Sequence, residues 1–286
     1  MDAGSDEMNR DHAINGIQFS ITSQAAWAPG IETDAAWQAW AHNRFPIQGT
    51  AEPALAAMPA MLRRRAGFIG KMALEVAYRC LNGGNAAATV FCSRHGECAR
   101  SVELLQDLVQ DHPLSPTSFS LSVHNATAGL LSIARHDQSN HSALSAGDSG
   151  VEHAVIEACG LLADGASEVL LVVYDGLLPN EFMAYQDCQD QPFAWAWLLR
   201  RPPSDGSLNA ETITLSWETM VNRQAGGNVI VTSEFDSTLK SSQKNGPDAA
   251  LPQPAGLEVL RFQLRQDQSL DRYVDNRHWC WRRHAE

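Results

Sequence analysis

The sequence predicts a layered α/β protein, and three observations support this fold class. Strand-like runs alternate with helical segments along residues 14–200, an order typical of layered α/β domains. The run at residues 87–92 is continuously apolar, as expected for a strand buried on both faces of a parallel sheet. The chain has 286 residues, of which 44% are hydrophobic and 19% charged, so it can bury a full core.

The first predicted element is a strand at residues 14–21, where apolar and polar side chains alternate. A loop that contains Trp27, Trp37 and Trp40 is predicted to follow it. Closely spaced tryptophans are typical of packing over a core edge. The alternative is that they line a hydrophobic acyl or aryl channel.

A single helix is predicted at residues 61–81, because apolar residues recur there at helical spacing. The helix is expected to end at Asn82, where the following glycines favour a C-cap. The three arginines at residues 63–65 form a dense positive patch. They indicate either a solvated helix end or a docking point for an acidic carrier protein.

The central part of the chain continues the alternation of strands and helices. The helix predicted at residues 98–110 is amphipathic, with Val102, Leu105, Leu108 and Val109 on one side. The predicted elements are strands at residues 87–92, 141–146 and 168–174 and helices at residues 98–110, 126–136 and 151–163.

The C-terminal third is predicted to add further elements to this unit. Residues 192–200 form a strand, and residues 211–217 return antiparallel to it after a turn. Residues 219–253 are rich in small, polar and turn-forming residues, which predicts mobile loops. Residues 256–265 form a last amphipathic segment, and residues 1–12 are expected to be a disordered acidic tail.

Composition excludes several classes of function. The net charge of -12 argues against nucleic-acid or anionic-membrane binding, which needs clustered Lys and Arg. The polar start and the absence of a long apolar run predict no signal peptide and no membrane span, so a cytoplasmic protein is expected. The six cysteines form no framework, which favours free thiols. Cys92, His95 and Cys98 supply only half of a zinc ligand set, so neither a metal site nor a cofactor is predicted.

A family resemblance rests on residues 120–172. Residues 142–172 (SALSAGDSGVEHAVIEACGLLADGASEVLLV) resemble the nucleophile turn, buried helix and next strand of β-ketoacyl-ACP synthases. That family has Ala-Cys-Thr-Ser-Gly-Val where this chain has AGDSGV at residues 146–151, so Gly147 occupies the position of the catalytic cysteine. The preceding segment also resembles the family through the pattern V-x-N-x-x-A-G-x-L-x-I, formed by Val123, Asn125, Ala128, Gly129, Leu131 and Ile133.

The resemblance implies a thiolase-like α/β/α half domain with a mostly parallel five-stranded sheet and C-terminal additions. It covers residues 14–200, whereas the family's two catalytic histidines and lysine belong to a second half. The only histidines after His153 are His278 and His284, so the resemblance implies no condensing activity by this chain alone. The implied organisation is a tail at residues 1–12, the half domain at residues 13–218, a loop-rich segment at residues 219–255 and C-terminal elements at residues 256–286 that pack on the core.

A ketosynthase-like chain without this machinery resembles a chain-length factor. Such a subunit pairs edge strand to edge strand with a full-length ketosynthase and shapes the pocket in which the chain grows, in fatty acid or polyketide synthesis, including aryl polyenes. The implied partners are therefore a full-length ketosynthase and an acyl carrier protein, and the strand at residues 141–146 would pair across the two-fold axis. By position in the motif, the implied pocket or interface residues are Asn125, Thr127, Gly129, Gly147 and Asp148.

Two other functions remain open from the sequence. The segment Arg94-His95-Gly96-Glu97 directly follows a predicted buried strand and resembles the histidine-phosphatase motif, in which a nucleophilic histidine lies among arginines that hold the phosphate. The other function is a scaffold that only docks the carrier protein, which would leave the length of the product unchanged.

Overall fold

A mixed β-sheet organises the chain in the structure, a computed structural model that describes residues 15–84, 87–203, 211–220 and 251–284. The predicted tail at residues 1–12 and most of the predicted loops at residues 219–253 lie outside the described residues. The strands are β1 (Asn15–Trp27), β2 (Ala88–Cys92), β3 (His141–Leu144), β4 (Val169–Asp175), β5 (Phe193–Arg200), β6 (Glu211–Thr219), β7 (Ser269–Val274) and β8 (Arg277–Arg283).

The predicted α/β class is confirmed, but the prediction of a mostly parallel five-stranded sheet is wrong. The described sheet has eight strands in the order β3-β2-β4-β5-β1-β6-β8-β7. Only β3, β2 and β4 pair in parallel, and every other pair is antiparallel. The difference arises because β1 pairs with β5 and β6 on its two sides, and a C-terminal hairpin extends the sheet further.

Helices cover both faces of the sheet. α1, α7 and α8 pack on one face, while α3 and α6 pack on the other. No helix in the described ranges has both the length and the apolar character needed to cross a membrane. The helices are α1 (Asp34–His42), α2 (Ala60–Arg63), α3 (Phe68–Leu81), α4 (Cys98–Val109), α5 (Pro116–Ser120), α6 (Ala126–Arg135), α7 (Gly150–Ala163) and α8 (Ala255–Leu264).

The tryptophan-rich region is not a loop. Trp27 ends β1, while Trp37 and Trp40 lie on α1. Each of the three side chains is 1% exposed. This burial agrees with the packing interpretation and gives no support to a channel lining.

The helix predicted at residues 61–81 is divided in two. α2 ends at Arg63, and α3 starts only after Gly67. A Cβ atom at Gly67 would lie 2.9 Å from Oε2 of Glu97, so the backbone approaches that carboxylate more closely than a side chain allows. The predicted end of the helix is confirmed, because Asn82 caps α3 in the left-handed conformation at φ 43°.

The C-terminal elements join the same sheet and the same core. α8 packs beside α7, and β7 and β8 form a hairpin whose inner face presents Trp279 and Trp281. Asp275 and Asn276 form the tight turn with φ values of 53° and 56°, which suits a two-residue hairpin loop. The hairpin therefore extends the sheet at the end opposite to β3.

Candidate functional site

Gly147 begins a 3-10 turn, Gly147–Ser149, that connects β3 to α7. Its φ is 54°, and a Cβ atom built at this position meets no atom within 4 Å. A side chain would therefore have space but would require a strained backbone. Gly150 opens α7 so close to the sheet that its Cβ would lie 3.3 Å from Sγ of Cys92.

Asp148 lies in the same turn, close to Arg94. The distance between its Oδ1 and Nη2 of Arg94 is 3.9 Å. Burial raises the pKa of Asp148 above its usual value, and the nearby Asp187 carboxylate adds to this effect. Asp148 thus places a carboxylate in this turn. By the family resemblance, its position is that of the threonine that follows the cysteine.

The buried carboxylate of Asp175 lies at the carboxyl end of β4 and holds the loop that follows β2. Its Oδ1 accepts hydrogen bonds from the Ser93 hydroxyl and from the Arg94 backbone N–H, each at 2.9 Å. Ser93 Oγ in turn accepts from the Gly96 N–H at 2.8 Å, which fixes the loop after β2. Burial raises the pKa of Asp175 to about 6, although these hydrogen bonds and the Arg94 charge oppose the shift.

The arginine of the phosphatase-like motif is already occupied by acidic neighbours. The Arg94 guanidinium binds the carboxylates of Asp187 and Asp190 and donates to Sγ of Cys188 at 2.7 Å. His95 lies beside it, and burial together with the Arg94 charge lowers the pKa of its imidazole. Because negative charge surrounds Arg94, this arrangement disfavours phosphate binding.

An open cavity of about 360 Å³ lies beside the carboxyl end of β4. Its polar wall contains His95, Glu97 and Arg100, and its apolar wall includes Phe68 and Leu177. Burial raises the pKa of Glu97. A second cavity of about 390 Å³ adjoins the first through the shared residues Gly49, Leu177 and Pro192.

The five residues predicted to form a shared pocket do not line either cavity. Thr127 is closest to one of them, since its hydroxyl donates to Oε1 of the cavity residue Glu97 at 3.4 Å. Asn125 is exposed and precedes α6, where its carbonyl accepts from the Gly129 N–H at 3.0 Å. Gly129 has no atom within 4 Å of a built Cβ, so α6 presents open space on that side.

The helix prediction at residues 98–110 is right in position, but most of its apolar side is not buried. Val102 is 8% exposed, whereas Leu105 and Leu108 are each 58% exposed. Further exposed apolar side chains lie on α5, on α6 and on the segment between these two helices. We define the apolar face as the exposed side chains of Leu105, Leu108, Val109, Phe119, Val123 and Ile133.

A buried ion pair joins α7 to the C-terminal hairpin, and the sequence analysis missed it. Glu152 on α7 is fully buried and binds the Arg272 guanidinium of β7. Arg272 also donates from Nη2 to the Asp148 carbonyl at 2.9 Å, and Ser149 donates to Asp275 at 2.5 Å. No local pattern marks such partners, because 120 residues separate Glu152 from Arg272.

The late histidines do not face the Gly147 turn. His278 contacts Asp271 at 2.9 Å, and His284 contacts the Thr214 hydroxyl at 2.6 Å. These residues alternate with the core-facing Trp279 of β8, so they lie on the sheet face opposite to α7. Neither histidine is positioned for chemistry at this turn.

A buried helix that begins at a strand-to-helix turn, on a sheet layered between helices, defines a thiolase-like ketosynthase fold. The sequence matches the family model described as beta-ketoacyl synthase, N-terminal domain, over residues 37–282. The chain therefore belongs to this family. No curated protein matches the sequence.

Solved structures of ketosynthases are similar to this chain. One is a ketosynthase (ApeO) in complex with its chain length factor (ApeC) from Xenorhabdus doucetiae, at 25% identity and a TM-score of 0.71 over 93% of this chain and 100% of the matched chain. The ishigamide ketosynthase/chain length factor has 13% identity and a TM-score of 0.52 over 72% and 68% of the two chains. A β-ketoacyl synthase from Burkholderia phymatum has 14% identity and a TM-score of 0.53 over 73% and 66%. The last two similarities concern the fold alone.

Proposed function

We propose that the chain is a non-catalytic chain-length factor, which pairs with a full-length ketosynthase and shapes the pocket for a growing acyl chain. The proposal rests on Gly147, which by the family resemblance occupies the position of the nucleophilic cysteine and provides no side chain. Without a thiolate at this turn, the chain has no acceptor there for the acyl group. The partner subunit therefore supplies the nucleophile.

The free edge of the sheet supports the pairing part of this proposal. In the described sheet β3 pairs with β2 alone, so its other side has no strand partner. An unpaired edge presents N–H and C=O groups that a second strand can bind. Docking of a ketosynthase along β3 would therefore continue the sheet into the partner.

The apolar face supports the same docking site. Its residues lie on α4, α5 and α6 and, at Val123, on the segment between α5 and α6, and α6 contacts β3. Phe119 is 68% exposed and Val109 is 86% exposed, and large exposed apolar side chains are a feature of interaction surfaces. A partner that pairs with β3 would cover this face at the same time.

The similar complexes agree with such a pair. The structure of ApeO with ApeC contains a ketosynthase and its chain length factor, and the matched chain is covered over its full length. By analogy, we propose an acyl or aryl polyene chain of fatty acid or polyketide synthesis as the product and an acyl carrier protein as its carrier, in the cytoplasm.

Co-expression with a full-length ketosynthase tests the pairing. We expect a stable one-to-one complex by mass measurement, while the lone chain is poorly soluble because its apolar face is exposed. A lone chain that remains a soluble monomer and does not bind the ketosynthase would contradict the proposal.

A second experiment tests the control of product length. Gly129→Phe places a large side chain in the open space beside α6, and we expect the complex to release shorter products. Gly160→Phe is the matched control, since Gly160 also lies within a helix and has no atom within 4 Å of a built Cβ. Products of unchanged length from an intact Gly129→Phe complex would favour the carrier-docking scaffold.

A further inference from the structure

Three metal-ligating side chains converge on the outer face of the β7–β8 hairpin. Asp271 lies directly opposite Cys280 in the strand register, and His278 lies two residues before Cys280 on the same face. Asp271 Oδ1 is 2.9 Å from Nε2 of His278, and this nitrogen is 3.2 Å from Sγ of Cys280. All three ligand atoms lie within 4.8 Å of one another.

We propose that Asp271, His278 and Cys280 form a binding site for a divalent transition metal ion of the zinc type. A thiolate, an imidazole and a carboxylate are the three side-chain ligands that Zn²⁺ takes in proteins. Bond lengths of about 2.0–2.3 Å in a tetrahedron separate the ligand atoms by about 3.3–3.7 Å. The observed separations of 2.9 and 3.2 Å therefore need to widen by only a few tenths of an ångström.

The surroundings of this site suit a cation that arrives from solvent. The side chains of Asp271 and His278 are 36% and 24% exposed, so the ligands are accessible. Glu218 of β6 lies opposite His278 in register and adds a second carboxylate to this face. Tyr273 stacks on the His278 ring at 4.3 Å with an interplanar angle of 5°, which limits rotation of the ring.

Arg282 competes with the ion for Asp271. Its Nη2 donates to the same Oδ1 at 2.8 Å, so this hydrogen bond has to shift when a cation binds. Binding breaks the S–H bond of Cys280 and forms an S–metal bond, and the thiol proton passes to solvent. His278 binds the ion through Nε2 as the neutral imidazole with its proton on Nδ1, and no oxidation or reduction takes place.

The site is separate from the Gly147 turn, because its residues lie on the sheet face opposite to α7. A bound ion would connect the two strands of the hairpin across their register. Since Arg272 of this hairpin holds α7, binding would stabilise the hairpin that supports the turn. The fourth coordination position remains open to water.

Titration of the full-length chain with Co²⁺ tests the site, with Zn²⁺ as competitor. We expect one equivalent of Co²⁺ to produce a thiolate-to-metal charge-transfer band that Zn²⁺ abolishes. Cys280→Ser should remove this band, and His278→Ala should weaken binding at least about tenfold. The control is Cys98→Ser, which changes another half-exposed cysteine that also lies near a histidine in sequence.

Two results would overturn the proposal. One is the absence of the charge-transfer band at saturating Co²⁺ in the wild-type chain. The other is a band that persists in Cys280→Ser and disappears in Cys98→Ser. Arg282→Gln provides an independent measurement, because removing the competing cation should tighten Co²⁺ binding, and unchanged affinity would contradict coordination by Asp271.

Discussion

At the residue scale, Gly147 combines the absence of a side chain with a backbone conformation that suits glycine. Its left-handed φ of 54° is a conformation that glycine adopts at little cost and that other residues adopt with strain. A residue with a side chain at this position would therefore strain the turn, although the space around it is free.

Restoring the cysteine should not restore activity. We expect Gly147→Cys and Gly147→Ala to lower the free energy of unfolding by about 1–2 kcal/mol, because both force a Cβ into the left-handed region. Neither variant should decarboxylate malonyl-ACP, since His278 and His284 lie on the opposite face of the sheet. Chemical denaturation measures the change in stability, and a decarboxylation assay measures the activity. Decarboxylation by purified Gly147→Cys would contradict the second expectation.

Asp175 should make stability depend on pH in a recognisable direction. Its folded-state pKa of about 6 exceeds the usual value of 3.8 for an aspartate carboxyl, so the folded chain binds more protons than the unfolded chain between these values. The free energy of unfolding that this group contributes therefore falls as pH rises from about 4 to about 6.

Asp175→Asn keeps the Oδ1 acceptor for Ser93 and Arg94 but does not ionise. We expect the variant to be more stable than the wild type at neutral pH, by an amount on the order of 2–3 kcal/mol at most. The two proteins should approach each other in stability as the pH falls toward 4. Urea denaturation across this range measures the difference, and a difference that does not change with pH would show that Asp175 is not the titrating group.

At the element scale, the helices and strands with strong local patterns were predictable. The buried strand β2 and the helix α7 follow the predicted positions closely, because apolar runs and 3.6-residue periodicity report burial directly. Strand β3 ends at Leu144 instead of residue 146, because Leu144 pairs with Cys92, the last residue of the neighbouring strand β2. The apolar side of α4 was predicted as a pattern, but no pattern reveals whether a partner within the chain covers it.

The candidate site was also only partly predictable, because sequence patterns report local structure and do not report contacts between distant residues. Gly147 and Asp148 were singled out because the family motif is contiguous in sequence, and their role stays a prediction. Asp175 follows an apolar strand and could have been found as a polar residue at the carboxyl end of a parallel strand. The contacts of Arg272, and the convergence of Asp271 on His278, depend on hairpin register and on partners far away in sequence.

The apolar face yields a prediction for the helical elements. Phe119→Ser should weaken association with the ketosynthase by about 1–2 kcal/mol, because an exposed aromatic anchor is removed from the interface. The matched control is Phe45→Ser, which removes a phenylalanine that is also half-exposed, at 52%, and lies outside this face. Sedimentation of the co-expressed complexes measures both affinities, and equal losses in the two variants would place the interface elsewhere.

At the scale of the whole molecule, the C-terminal hairpin is an integral part of the core. It supplies Trp279 and Trp281 to the same apolar cluster as α7 and α8. Through Arg272 it also neutralises Glu152, a carboxylate with no exposure to solvent. The hairpin therefore supports α7 and the Gly147–Ser149 turn from which this helix starts.

Breaking the Glu152–Arg272 pair should destabilise the whole molecule. Arg272→Met leaves a buried carboxylate without its partner, and we expect a loss of about 3–5 kcal/mol of unfolding free energy. The double variant Glu152→Leu/Arg272→Met should recover much of this loss, because no buried charge remains. Arg200→Met serves as the control, since Arg200 pairs with Glu168 at the surface and such pairs contribute about 0–1 kcal/mol. Guanidinium denaturation measures the unfolding free energies of the two single variants and the double variant. A loss of stability in Arg272→Met no larger than that in Arg200→Met would refute the prediction.

The two ends of the sheet differ in how readily they accept a further strand. At one end, β3 offers four residues beside an apolar face. At the other end, β7 alternates exposed and partly exposed side chains and carries Asp271 and Arg272, features that discourage strand addition. If both ends accepted strands, copies could add without limit into an open filament. Under the proposed pairing along β3, each subunit would use only one end, and growth of the sheet would stop after a single pairing.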